Sequence, residues 1–95
     1  MKKFLLLTFG FEKPTPEIMA AWGEWFALLE DKIIEKGHLP RGKEISDAGT
    51  VDLPMGLESI TGYVVIEAES FEAAEKLAAK NPYISSIRVY EIMGE

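Results

Sequence analysis

The stretch 60-ITGYVVIEAESFEAAEKLAAKNP-82 changes its period partway along, and that change sets the fold. Residues 60–68 are rich in β-branched and aromatic side chains, the composition of a well-buried strand. Ser70 then suits a helix N-cap, and Phe71, Ala74, Leu77 and Ala78 recur at helical spacing on one inward face. Asn81 and Pro82 end that helix, because proline has no amide hydrogen with which to continue it. A strand running straight into an amphipathic helix predicts a sheet with a helix packed on it.

A matching unit opens the chain. Residues 3-KFLLLTF-9 are apolar on both faces, as in a central strand covered on both sides. In 10-GFEKPTPE-17, Thr15 suits the N-cap, Pro16 the first helical position, and Glu17 the positive first turn. Ile18, Ala21, Trp22, Trp25, Phe26, Leu29 and Ile33 form one wide apolar stripe, which predicts a helix that Gly37 closes. Lys36 would then sit at the negative helix end. An irregular strand is expected over 38–46, broken by Pro40 and Gly42. Residues 47–59 read as a long loop with a minor strand over 50–53, and 84-ISSIRVYEIM-93 reads as the last strand.

The order is β-α-β-β-α-β, a ferredoxin-like α+β sandwich in one domain over 1–95. Two helices would cover one face of an antiparallel four-stranded sheet and leave the other bare. Leu5, Leu7 and Phe9 alternate with Phe4, Leu6 and Thr8, and Val64 and Ile66 alternate with Tyr63, Val65 and Glu67. One set meets the helices, and the other needs a separate cover. The simplest cover is a second copy, so a homodimer through the open face is expected.

Composition narrows the function. The chain carries 16 acidic against 10 basic residues, a net charge of -6, which repels phosphate backbones and argues against nucleic-acid binding. It has no cysteine, which excludes disulfides, thiolate metal sites and a thiol nucleophile. The run 2-KKFLLLTFGF-11 imitates a signal peptide but lacks a small-residue cleavage site, and no stretch is long enough to span a membrane. A cytoplasmic protein is expected. The acidic clusters Glu30, Asp31 and Glu67, Glu69 have no histidine or cysteine at ligand spacing, so no metal site is expected. No phosphate loop, nucleophile elbow or catalytic triad is present, and no cofactor is called for.

The pieces 22-WGEWF-26, 36-KGHL-39 and 62-GYVVIEAESFEAAEKLA-78 resemble the YCII-related family, and the resemblance extends over almost the whole chain. It implies a ferredoxin-like dimeric α+β barrel and an enzyme with a pocket between sheet and first helix. Short members of that family are proposed to use a first-helix histidine and an aspartate in the following strand-loop region. Here Trp22, Trp25 and Phe26 occupy the inward helix stripe instead, and 54-PMGLESI-60 stands where longer members carry Asp-Gly-Pro-Phe. The acid–base pair of the family therefore does not transfer intact. Lactone isomerases and dehalogenases share this barrel, which suggests proton transfer or elimination on a small organic acid or lactone.

His38, the sole histidine, is the candidate proton carrier, with Asp47 or Glu44 to orient its second nitrogen. Equally, it can be a helix-end residue bonded to the last carbonyls. Trp22, Trp25 and Phe26 are either core or the flat wall of a ligand pocket. Gly23 inside the helix suggests close packing or room for a ligand. Arg41 can hold a carboxylate in a bidentate fork or simply guard a strand edge. Tyr63 offers a polar handle to a substrate, or packs in the core or the dimer interface. The alternative to an enzyme is a non-catalytic ligand-binding or accessory dimerisation module.

Overall fold

The computed structural model describes residues 1–94. Its elements are β1 (Lys2–Phe9), α1 (Pro16–Leu29), β2 (Ile33–His38), β3 (Gly42–Ser46), β4 (Gly49–Leu53), β5 (Ile60–Ala68), α2 (Phe71–Ala79) and β6 (Ser86–Ile92). Four strands make an antiparallel sheet in the order β2-β5-β1-β6, and β3 and β4 form a separate two-stranded sheet. This is the ferredoxin-like order, with a hairpin inserted between its second and third strands. No helix among the described residues is long and apolar enough to cross a membrane.

Both helix starts follow the local chemistry. The Thr15 hydroxyl accepts from the Ile18 amide at 3.2 Å, and the Ser70 hydroxyl accepts from the Ala73 amide at 3.1 Å. The end of α1 does not. The helix stops at Leu29, and Ile33, expected on the helical stripe, opens β2 instead. Its register pairs Lys36 with Val64 and His38 with Gly62 on β5. Without β2 the buried strand β5 would show a row of unpaired amides and carbonyls along one edge, so cross-strand bonding prevails over helical spacing. Gly37 and Lys36 are thus strand residues rather than a helix terminus. The register shifts between Ile33 and Glu35, which turns Ile34 outward.

The strand expected over 38–46 is also divided. The Leu39 amide still bonds the Thr61 carbonyl at 3.0 Å, but Pro40 has no amide to continue the ladder. The chain leaves the sheet and returns as the β3–β4 hairpin, turned at Asp47 and Ala48, with Gly49 at φ +117°. The minor strand expected over 50–53 is β4, extended by one residue to Gly49. Every residue from 40 to 55 is exposed, so the hairpin projects from the body. The last strand starts at Ser86 rather than at residue 84, because Gly10 and Ser85 are packed at the preceding corner. Gly10 has φ +103°, and a Cβ there would stand 2.8 Å from the Ser85 amide nitrogen, so glycine is required.

The core lies between the helices and one sheet face. Phe4, Leu6, Val64 and Ile66 meet Trp25, Leu29, Ala74 and Ala78 there. The α2 backbone sits close against β1, β5 and β6, whereas α1 is set farther from the sheet, consistent with the bulk of its inward side chains. Leu5, Leu7, Phe9, Tyr63 and Val65 form the opposite, partly exposed face. The principal extents are 41 × 41 × 18 Å and the radius of gyration is 14.4 Å, above the roughly 12 Å of a compact chain this long.

Candidate functional site

Three aromatic rings hold α1 in place. Trp25 is only 3% exposed, and its indole N–H donates to the Leu77 carbonyl of α2 at 2.9 Å. Trp22 meets it edge to face at 5.7 Å between centroids, and Phe26 lies 5.6 Å from Trp22. Trp25 belongs to the core, while Trp22 and Phe26 are half-buried and form the outer side of the wedge. Gly23 is exposed, with open space where a Cβ would stand, so close packing does not explain it.

Strand β2 runs past this wedge. The Lys36 ammonium lies 4.3 Å from the centre of the Phe26 ring, which fixes that side chain on the helix side of the sheet. His38, two residues on, shares that side by the alternation of a strand. In the register, Gly62 pairs with both Thr8 and His38, which gives a cross-strand row Thr8–Gly62–His38. Gly62 contributes no side chain between the buried Thr8 hydroxyl and the exposed His38 ring. The row lies at the β2 edge of the sheet, on the same side as Lys36 and the Phe26 ring, and the Thr8 hydroxyl in it donates to the Gly62 carbonyl at 3.4 Å.

The remaining sequence candidates are scattered. Among the described residues, the hydrogen bonds between charged or phenolic side chains are Lys32–Asp31, Lys43–Asp52 and Tyr63–Glu35, and His38 and Asp47 join none of them. Asp47 stands at the turn of the hairpin, about 17 Å of strand from its base, and Glu44 lies on β3. The expected carboxylate is therefore not brought to the histidine. The helix-end reading of His38 also fails, since α1 ends nine residues earlier at Leu29. Arg41 is exposed in the link between β2 and β3.

Tyr63 lies on the other side of the sheet from His38, so the two do not share a site. Its register partner is Gly37, whose missing Cβ leaves room for the ring: a Cβ there would approach the ring to 2.6 Å. The ring lies over the β2 backbone, and its hydroxyl donates to the Glu35 carboxylate. That hydrogen bond, helped by burial and by the charge of Glu35, raises the phenol above its ordinary pKa. Lys36, Thr8 and Glu35 escape a sequence reading that makes 33–37 helical. The alternation of Glu35 and Gly37 against Lys36 and His38 is the signal that would have placed them.

Two shallow grooves lie elsewhere. One of about 310 Å³ runs between α2 and β6, lined by Glu75, Ala78, Tyr83 and Ile87. Another of about 260 Å³ lies between α1 and the end of α2, beside Trp25, Leu28 and Lys80. Neither holds a base paired with an acid. No group of three or more histidine, aspartate or glutamate side chains able to hold a metal occurs among the described residues.

No family model and no curated protein matches this chain. Among solved structures it is similar to 5-chloro-2-hydroxyhydroquinone dehydrochlorinase (TftG) from Burkholderia phenoliruptrix AC1100, in complex with 2,5-dihydroxybenzoquinone. The two share 17% identity and a TM-score of 0.59, over 98% of this chain and 95% of that one. At that identity the likeness speaks to fold and leaves site residues unassigned. The chain thus has an α+β ferredoxin-like fold, as its order of elements predicted.

Proposed function

We propose that this protein is a small enzyme that moves a proton on a planar, acidic organic molecule held at the α1–β2 cleft. The observation that carries the reading is the cross-strand row Thr8–Gly62–His38, with Lys36 on the same side and Phe26 beneath its ammonium. His38 is the proton carrier: its neutral ring takes a proton from carbon or hydroxyl as the electron pair moves into the substrate. Where a leaving group stands on the neighbouring carbon, that electron pair expels it as an anion. Lys36 holds the developing oxyanion, Arg41 adds a cation at the mouth, and Trp22 and Phe26 supply the flat wall, with Trp25 fixing them from behind. The dihydroxybenzoquinone bound by the structural neighbour belongs to this substrate class and supports the choice.

A second reading has one observation in its favour. No carboxylate orients His38 among the side-chain contacts described, and a site without an oriented base suits a binding protein. Thermal-shift measurements against dihydroxyquinones, small carboxylates and lactones separate the two. On any molecule that stabilises the protein, His38→Gln is expected to abolish solvent deuterium exchange or turnover by about a hundredfold or more while binding persists. Binding with no turnover in the wild type would establish the ligand-binding module. Turnover unaffected by His38→Gln would remove His38 from the chemistry.

The assembly that fits this reading is a homodimer packed through the open sheet face. The chain exposes 6912 Å², against about 5,500 Å² for a compact monomer of 10.6 kDa, an excess of about 1,400 Å². Part of that excess belongs to the projecting hairpin, and the partly exposed Leu5, Leu7, Phe9, Tyr63 and Val65 supply the apolar surface that a second copy would cover.

A further inference from the structure

The β3–β4 hairpin is an arm with nothing beneath it. Among the described residues, every hydrogen bond of 41–53 stays within the hairpin. The last bond to the sheet before it runs from the Leu39 amide to the Thr61 carbonyl, and the first anchor after it is the Ser59 hydroxyl, which donates to the Pro54 carbonyl. Pro40 and Pro54 therefore mark two hinge points. The molecule is only 18 Å deep in its thinnest direction, so the hairpin lies along the layer of the sheet and not over α1. A lone two-stranded hairpin is marginal in water, so this one gains from a surface to lie on. Its register sorts its side chains. One face has Leu53 opposite Gly42 and Val51 opposite Glu44; the other has the Lys43–Asp52 ion pair at 2.7 Å and Ile45 opposite Thr50. On the first face Val51 and Leu53 are 54% and 47% exposed, and Glu44 joins no ion pair among the described residues.

We propose that the hairpin is a lid, which folds back about Pro40 and Pro54 and lays its Leu53, Val51 and Glu44 face on the α1–β2 cleft of the same chain. This rests on that cleft being the site, as proposed above, and adds what closes it. The spacing fits. Leu53 lies one residue inside the Pro54 hinge, and the Val51–Glu44 pair follows on the same face about 7 Å farther out. On β2, His38 stands at the hinge end and Lys36 one step of the same length below it. Folding back sets Leu53 over His38, and Val51 with Glu44 over Lys36 and the Phe26 ring. The charges fit as well. Among the described residues neither Lys36 nor His38 is paired with a carboxylate, and Glu44 brings one to both. Folding the other way, onto the open face, would set Glu44 against Glu35 of β2 instead. Closure shuts water out of the cleft, and opening lets a ligand enter.

Because the chain has no cysteine, A48C places a single nitroxide spin label at the exposed hairpin tip. Nuclear magnetic resonance of the ligand-free protein then reads which amides the tip visits. A lid that closes in a minor fraction of molecules should broaden the Trp22 and Phe26 amides of α1 at least about twofold more than those of Phe71 and Ala74 on α2. On the A48C background, V51S/L53S and E44K should each reduce that broadening about twofold or more, with the amide shifts of 43 and 52 reporting that the hairpin stays folded. No excess broadening at Trp22 and Phe26 overturns the lid. Equal broadening in both variants overturns the face assigned to it. A mixture of spin-labelled chains with isotope-labelled, spin-free chains distinguishes the two sources of contact. Broadening of the spin-free chains would give the hairpin to a second copy and overturn closure within one chain. No ligand is needed, so the result stands apart from the His38→Gln test: a closing hairpin without turnover removes the enzyme alone, and turnover without closure removes the lid alone.

Discussion

Trp25→Phe separates the structural wall from the ligand wall. The indole is 3% exposed and donates to the Leu77 carbonyl at 2.9 Å, linking α1 to α2. Replacing it with phenyl removes roughly 40 Å² of buried apolar surface, about 1 kcal/mol, and leaves a void that the neighbouring rings fill only in part. The lost hydrogen bond adds about 1 kcal/mol. Its carbonyl keeps one partner, since Leu77 also accepts from the Lys80 amide at 3.3 Å, so no full desolvation cost follows. The sum is about 2–3 kcal/mol, or about 10–20 °C in Tm for a domain of this size. Urea unfolding at fixed protein concentration, followed by far-ultraviolet circular dichroism, measures it, with Trp22→Phe as the internal control. Trp22 is half-buried and makes no side-chain hydrogen bond among the described residues, so its replacement should cost less than about 1 kcal/mol. A Trp25→Phe loss below that of Trp22→Phe would refute the assignment of Trp25 to the core and Trp22 to the cleft.

Replacing 42–53 with a short Gly/Ser linker should change the stability of the remaining domain by no more than about 1 kcal/mol, because every residue removed is exposed. A loss of several kcal/mol in urea unfolding would show that the hairpin packs on the body. The Tyr63–Glu35 bond makes a pH prediction. A raised phenol pKa stabilises the fold fully below the ordinary tyrosine value of 10.0 and loses that contribution as pH climbs through the folded-state value. Stability should therefore fall more steeply above pH 10 in the wild type than in Tyr63→Phe, and parallel curves in urea unfolding would remove the bond from the account.

The two grooves detected on the monomer surface lie away from His38, and the α1–β2 rim is itself open rather than enclosed. A second copy could change that enclosure only through the hairpin or the β2 edge, since the open face lies across the sheet from His38. The proposed chemistry and the proposed assembly are for that reason testable apart.

Local chemistry decided much of the protein in advance. Thr15 and Ser70 cap the helices because their hydroxyls meet the exposed amides of a first turn, wherever that turn lies. The alternation of Phe4, Leu6 and Thr8 against Leu5, Leu7 and Phe9 already contained the two-faced sheet. Residues 33–38 were different, because Ile33 suits a helical stripe and a strand equally well. Only the unpaired edge of β5, distant in sequence, made them a strand, and that choice carried Lys36 and His38 to the helix side and Glu35 and Gly37 to the open face. Spacing along the chain records which side chains are apolar. Which side of a sheet the polar ones reach is set by hydrogen bonds to another strand, so the separation of His38 from Tyr63 was a tertiary decision.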